Sequence, residues 1–158
     1  MTVGLPGSGK STWCEQQALI NENSIWIARD GVRRTKKKNG EGDYFKIENE
    51  TFKSFCNVIS KELKLGYDVY ADATNFDWES RSRLLEGLNI DLTAIRIVAV
   101  YFDIPEAKCR ERNGKRAGEG YVHPEIINII CELLTPPQTD PFKYDDILIV
   151  TEKIETPL

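Results

Sequence analysis

GLPGSGKST, residues 4–12, decides the fold. Gly4, Gly7 and Gly9 let the backbone turn through conformations closed to residues with a side chain, so successive N–H groups point inward around a phosphate. The spacing Gly4-x4-Gly9-Lys10-Ser11 fits the phosphate-binding P-loop. In such a loop Lys10 reaches the β- and γ-phosphates and the Ser11 hydroxyl ligates Mg²⁺. The flanks agree: Met1 to Val3 read as a strand end, and STWCEQQALI, from Ser11 onward, reads as a helix whose N-terminal dipole faces the anion. Three residues make a very short first strand, so the expectation is either residues upstream or a strand cut down to its last turn.

Composition bounds the rest. The 158 residues, 41% hydrophobic and 29% charged, suit one globular domain, read as 1–158. No run of 18 apolar residues and no basic segment followed by an apolar stretch is present, so neither membrane span nor secretory signal is expected. Cys14, Cys56, Cys109 and Cys131 lie far apart without C-x-x-C spacing, which predicts free thiols, no metal cluster and a reducing cytoplasm. The net charge of −4 argues against a general nucleic-acid coat, though a basic groove can exist on an acidic protein.

Apolar runs alternate with amphipathic stretches. SIWIAR (24–29), YDVYADAT (67–74), IRIVAVYFD (95–103) and DILIVT (146–151) are short and rich in β-branched and aromatic residues. They read as strands, two of them too continuously apolar to keep a wet face. Between them Phe52, Phe55, Cys56, Ile59 and Leu63 repeat at helical spacing. So do Leu84, Leu85 and Leu88 behind an Asp77 N-cap, and Ile126, Ile129, Ile130 and Leu133 behind Pro124. The fold class is α/β: an open parallel sheet of about five strands with helices on both faces. Ligands in such sheets bind at the carboxyl ends of the strands.

Those ends carry chemistry. Asp30, after the second strand, is placed to accept the proton of an attacking hydroxyl, or alternatively to cap the next turn. Asp72, at the tip of the third, suits a Mg²⁺–water shell or the base's hydrogen-bond partner. PEAKCRERNGKRAGEG (105–120) runs a cationic helix end into a glycine-bearing loop. There Arg110, Arg112, Lys115 and Arg116 can close over a nucleotide as a lid, one arginine stabilising charge on the transferring phosphoryl group.

The ordered set GLPGSGKSTW, RDxxR at 29–33, TKKK at 35–38, DATN at 72–75 and FDIP with RNxxR at 102–116 resembles the kinase domain of phage-type polynucleotide 5′-hydroxyl kinases, nearly end to end. The tail ELLTPPQTDPFKYDDILIV is similar to the close of kinase modules in nucleic-acid end-repair enzymes. The chain departs from the pattern at Ala73, where some members carry an acid next to the threonine. The resemblance implies a P-loop kinase with an arginine-bearing lid that moves the γ-phosphoryl group of ATP or another NTP to a 5′-hydroxyl of DNA or RNA. It implies Asp30 as general base, with Lys10 and Arg116 beside it in catalysis. The nucleotide falls to Gly4, Gly7, Ser8, Gly9, Lys10, Ser11, Thr12, Arg112 and Arg116, and Mg²⁺ to Ser11 and Asp72. Arg33 grips the acceptor's phosphate, with Asp30, Thr74 and Asn75 on the same side.

The residues alone support a nucleic-acid partner in part. Arg29, Arg33, Arg34, Lys36, Lys37 and Lys38 put six cations within ten residues, directly after Asp30. The alternatives are a solvated basic loop running into Asn39–Asp43, another alcohol as acceptor (a hydroxymethylated DNA base, a nucleoside or a small metabolite), or an NTP-binding switch. Tyr44, Phe45 and Trp78 could stack a base or belong to the core, and His123 reads as a cap before Pro124.

Overall fold

A computed structural model describes residues 1–38 and 44–152. Among these residues five strands form: β1 (Thr2–Val3), β2 (Ser24–Ala28), β3 (Asp68–Asp72), β4 (Val98–Asp103) and β5 (Asp146–Thr151). Six α-helices connect them: α1 (Lys10–Ile20), α2 (Arg29–Lys38), α3 (Tyr44–Lys64), α4 (Trp78–Gly87), α5 (Glu106–Gly114) and α6 (Pro124–Leu133). Every ladder is parallel, β2 with β3, β1 with β4, and β4 with β5, as crossover helices require.

The two ladders are joined through side chains. The Thr2 hydroxyl donates to the Ala73 carbonyl at 2.9 Å and accepts from the Ala73 N–H at 3.2 Å, while Asn75 Nδ2 donates to the Thr2 carbonyl at 2.8 Å. One residue on, the Gly4 N–H donates to the Thr74 carbonyl at 3.0 Å. The strand order is therefore β2–β3–β1–β4–β5. A cavity of about 560 Å³ is lined by Met1, Val69 of β3, Leu85, Ile97 and Val98 of β4.

Alternation along β4 sets the two layers. Val100 and Phe102 pack with Trp13 of α1, Cys109 of α5 and Ile130 of α6, whereas Ala99 packs with Leu85 of α4 and with Tyr144. Phe55, Cys56 and Ile59 of α3 cover Ile27 and Ala71, as their helical spacing predicts. Asp77 caps α4 in a capping box with Ser80, and His123 caps α6, its Nδ1 accepting from the Glu125 N–H at 3.4 Å.

Two expectations are corrected. In α6 the buried face is Ile127 and Ile130, while Ile126, Ile129 and Leu133 are about half exposed. Isoleucines at 126, 127, 129 and 130 write two overlapping stripes, and packing rather than spacing chooses between them. DILIVT is an edge strand paired only with β4, and it leaves Leu148 and Ile149 exposed despite its unbroken apolar run.

The connection TPPQTDP is anchored from below. Arg81, wholly buried, donates Nε to Asp140 Oδ2 at 2.7 Å, Nη1 to the Asn75 carbonyl at 2.9 Å and Nη2 to the Thr135 hydroxyl at 3.0 Å. The Tyr144 hydroxyl donates to Asp140 at 2.7 Å, and burial first, then this carboxylate, pushes the phenol pKa up. Removing one member leaves a buried charge without its partner, so Asp140→Ala should cost about 3–5 kcal/mol in a urea unfolding titration. Replacing Arg81 and Asp140 together by methionine and leucine should cost far less.

Candidate active site

Residues 4–9 leave β1 as a loop and enter α1 at Lys10. Gly9 caps the helix with φ +98°, and the first turn of α1 has neither an acidic residue nor a side-chain cap. Its free N–H groups and dipole are thus left to an external anion. Gly7 has φ +86°, and a Cβ there would lie 2.3 Å from the Cys109 carbonyl oxygen of α5, so the loop is pressed against the lid helix and only glycine fits.

Lys10 folds back over this loop. Its Nζ donates to the Leu5 carbonyl at 2.6 Å, the Gly4 carbonyl at 2.9 Å and Ser8 Oγ at 3.3 Å. Burial pulls the ammonium pKa down to about 8; Asp72 and Asp30 oppose that fall and Arg116 adds to it. Asp30, Asp72 and Arg116, chosen on the sequence, therefore share one electrostatic neighbourhood with Lys10.

The loop fits a polyphosphate: a buried cation, uncapped helical N–H groups, and Ser11 and Thr12 exposed at the helix start. Among the described residues no three His, Cys, Asp or Glu groups gather to cage a metal. Asp72 is buried, its Oδ2 accepting from Trp26 Nε1 at 3.1 Å, while its Oδ1 lies 3.4 Å from the Thr2 hydroxyl oxygen, whose proton goes to the nearer Ala73 carbonyl. Each oxygen keeps acceptor capacity, so the carboxylate is oriented rather than saturated.

Beside the loop lies a cavity of about 810 Å³ bordered by Gly7, Gly9, Thr12, Gln16, Arg112 and Arg116. Lys108, Thr151 and Glu152 also border it, and sequence reading passed over them because nothing in their local pattern marks them. Asn113 closes the lid loop at its base, donating Nδ2 to the Val122 carbonyl at 2.7 Å and accepting from the Val122 N–H at 3.0 Å. Arg110 pairs with Glu106, Arg112 with Glu152 and Lys115 with Glu111. Arg116 instead donates to the Gly120 carbonyl at 3.3 Å, with no carboxylate partner among the described residues.

On the other flank, β2 passes straight into α2, so Arg29–Lys38 is helical where a loop was one reading. Asn39–Asp43 lie outside the described residues. Asp30, in the first turn, is largely exposed and ion-paired with Arg33. Arg33 is held by Glu48 of α3, Nε and Nη2 donating to its two oxygens, the second at 3.0 Å. Burial alone would raise the Glu48 pKa, but the bonds and charge of Arg33, with Arg29, hold it below the ordinary value. Glu48 escaped the sequence reading because KIENE looks like any solvated helix face. Thr74 meets the loop through its carbonyl, and Asn75, buried at φ +43°, gives its amide to Thr2. Asn75 thus serves the joint between the two ladders. Phe45 is exposed, and Trp78 stacks on Phe142 at 6.5 Å.

With fold and site in view, comparison with known proteins assigns the class. Residues 1–129 match the AAA domain family, and the chain belongs to it. A sugar kinase from Janibacter sp. HTCC2649 superposes with a TM-score of 0.61 at 14% identity, over 95% of this chain and 82% of that one. The Mycobacterium tuberculosis APS kinase CysC, solved with AMPPNP and APS, superposes with a TM-score of 0.60 at 20% identity, over 94% and 85%. The fold is that of the P-loop kinases. The Arabidopsis thaliana transcription factor bHLH140 is 29% identical over 121 residues, 75% of this chain, which spans only 11% of that protein's length. No helix among the described residues is long and apolar enough to cross a membrane.

Two outcomes follow. Gly7→Ala should lower nucleotide affinity at least tenfold by calorimetry, since the added Cβ displaces the loop from α5. A polyphosphate favours the charged Lys10, and the free loop surrenders that proton near pH 8. Affinity for an NTP should therefore fall as pH rises through about 8, by up to roughly tenfold per unit, and Lys10→Arg should flatten the profile.

Proposed function

We propose that this protein transfers the γ-phosphoryl group of ATP or another NTP to the 5′-hydroxyl of DNA or RNA. The observation that carries the reading is Asp30: an exposed carboxylate two residues past the end of β2, close enough to Lys10 to act on its charge, and set beside an arginine that the partly buried Glu48 holds in place. That is the arrangement for deprotonating an alcohol next to a bound triphosphate while an anionic group of the same acceptor is gripped. Arg33 keeps N–H donors on Nη1 and Nη2 beyond those given to Asp30 and Glu48.

In the proposed reaction Asp30 accepts the hydroxyl proton, the hydroxyl oxygen bonds to the γ-phosphorus, and the bond to the β–γ bridging oxygen breaks. Lys10 and the loop N–H groups orient the β- and γ-phosphates, and Arg116 offsets charge on the transferring group. Ser11 and Asp72 would hold Mg²⁺, which would supply charge neutralisation on the phosphates. The basic face of α2 supplies long-range attraction for a strand, in keeping with a nucleic-acid acceptor on a protein of net charge −4.

The test is labelled ATP with a panel of 5′-hydroxyl oligonucleotides, hydroxymethylated duplexes, nucleosides and sugars. Preference for a sugar or a modified base would move the acceptor while keeping the chemistry; hydrolysis alone would make the protein a switch. Asp30→Asn should leave ATP binding within about twofold and lower transfer to the hydroxyl by about 10²–10⁴.

A further inference from the structure

The cationic surface does not end at Arg33. Along α3, Glu48 is followed by Asn49 and, one turn on, by Phe52. Arg29 of α2 and Arg83 of α4 both lie against the Phe52 ring, their guanidinium carbons 5.6 Å and 4.3 Å from its centroid. Arg29 Nη2 donates to Glu48 Oε2 at 3.4 Å, yet its Nε is buried without a hydrogen-bond partner. Arg83 is exposed, and its polar contact is Asn49 Oδ1 at the long distance of 3.5 Å. Arg29 and Arg33 thus share the Glu48 carboxylate, Asp30 faces Arg33 at the far end, and Arg83 joins Arg29 at the Phe52 ring with no ion pair of its own among the described residues.

That surplus has physical consequences. Burial lowers the Arg29 pKa; Glu48 works against this, and the like charges of Arg33 and Arg83 add to it. A cation stacked on a ring face is held in place while its in-plane N–H edge stays open, which suits bidentate recognition of a phosphate. An anion bound at the exposed Arg83 guanidinium would relieve its repulsion with Arg29. The groups run in sequence from the base outward, Asp30, Arg33, Glu48, Arg29, Phe52, Arg83, a path that a strand backbone can follow.

We propose that Arg83 with Arg29 forms a second phosphate subsite, one nucleotide beyond that of Arg33, which makes a strand with two or more phosphates the preferred acceptor. This rests on the nucleic-acid reading above and adds a specificity-determining residue from α4 to it. The subsite takes backbone phosphate and touches no base, so it serves every sequence alike.

The experiment compares kcat/KM for a nucleoside 3′-monophosphate and for a 5′-hydroxyl oligonucleotide of about eight nucleotides, using the parent protein, Arg83→Ala and Arg83→Lys. Thermal midpoints monitor folding, which an exposed residue should leave intact. Arg83→Ala should lower the oligonucleotide value about tenfold more than the mononucleotide value, chiefly through KM. The slope of log affinity against log salt for the oligonucleotide should shrink by about 0.7, the share of one single-strand phosphate contact, and Arg83→Lys should restore part of both. Equal losses on the two acceptors, or none on either, would overturn the subsite while leaving the 5′-kinase reading in place. Failure of the parent protein to phosphorylate any nucleic acid would overturn both.

Discussion

Everything at the active site is registered by the hydroxyl and carbonyl of Thr2. β1 is two residues long and forms a backbone ladder only with β4. Were Thr2 unable to bond both Ala73 and Asn75, the β2–β3 pair would lose three of the bonds that fix its height relative to the loop that β1 launches. The same few bonds set Asp72 under Lys10 and bring Thr74 against Gly4. A side chain stands where a longer strand would use its backbone, and at that buried position each bond counts against the full cost of an unmet polar group.

Charge is arranged around that joint with few counterions. The first turn of α1 is bare of acids, Lys10 is buried on carbonyls, and Arg116 has no carboxylate partner among the described residues. On the acceptor flank, Glu48 holds Arg33 and touches Arg29 while Arg83 waits across Phe52. Such positive surplus is unfavourable in the free protein and is relieved when anions arrive; in the proposed reaction that relief would direct binding energy to a triphosphate and an acceptor phosphate together. The buried Arg81–Asp140 network, by contrast, is fully paired, and it holds Asn75 and the approach to β5 still while the lid side remains open.

Local rules carried much of this into the sequence. Glycines at 4, 7 and 9 with Lys10 and Ser11 wrote the loop, because φ near +90° and a cation at a helix start are demands on single residues. Runs of β-branched residues wrote all four later strands to within a few residues, and Asp77, His123 and Pro124 marked helix starts, because capping acts over three or four residues. Asp30, Asp72 and Arg116 each sit beside a strand end or a glycine-bearing loop, a local position the sequence shows, and the fold brings all three within electrostatic reach of Lys10.

What only the tertiary structure decided are relations across the chain. Glu48 lies 15 residues from Arg33, Asp140 lies 59 from Arg81, and Trp26 lies 46 from Asp72; no local pattern marks one as the partner of the other. The buried face of α6 and the exposure of β5 were likewise settled by what packs against them, since an apolar run states that a segment can be buried and leaves open which side is covered. The sequence alone determined a phosphate loop ahead of an alternating α/β chain, because those signals are local. The company each functional group keeps was fixed by folding, because hydrogen bonds and charges act through space at a few ångströms whatever the distance along the chain.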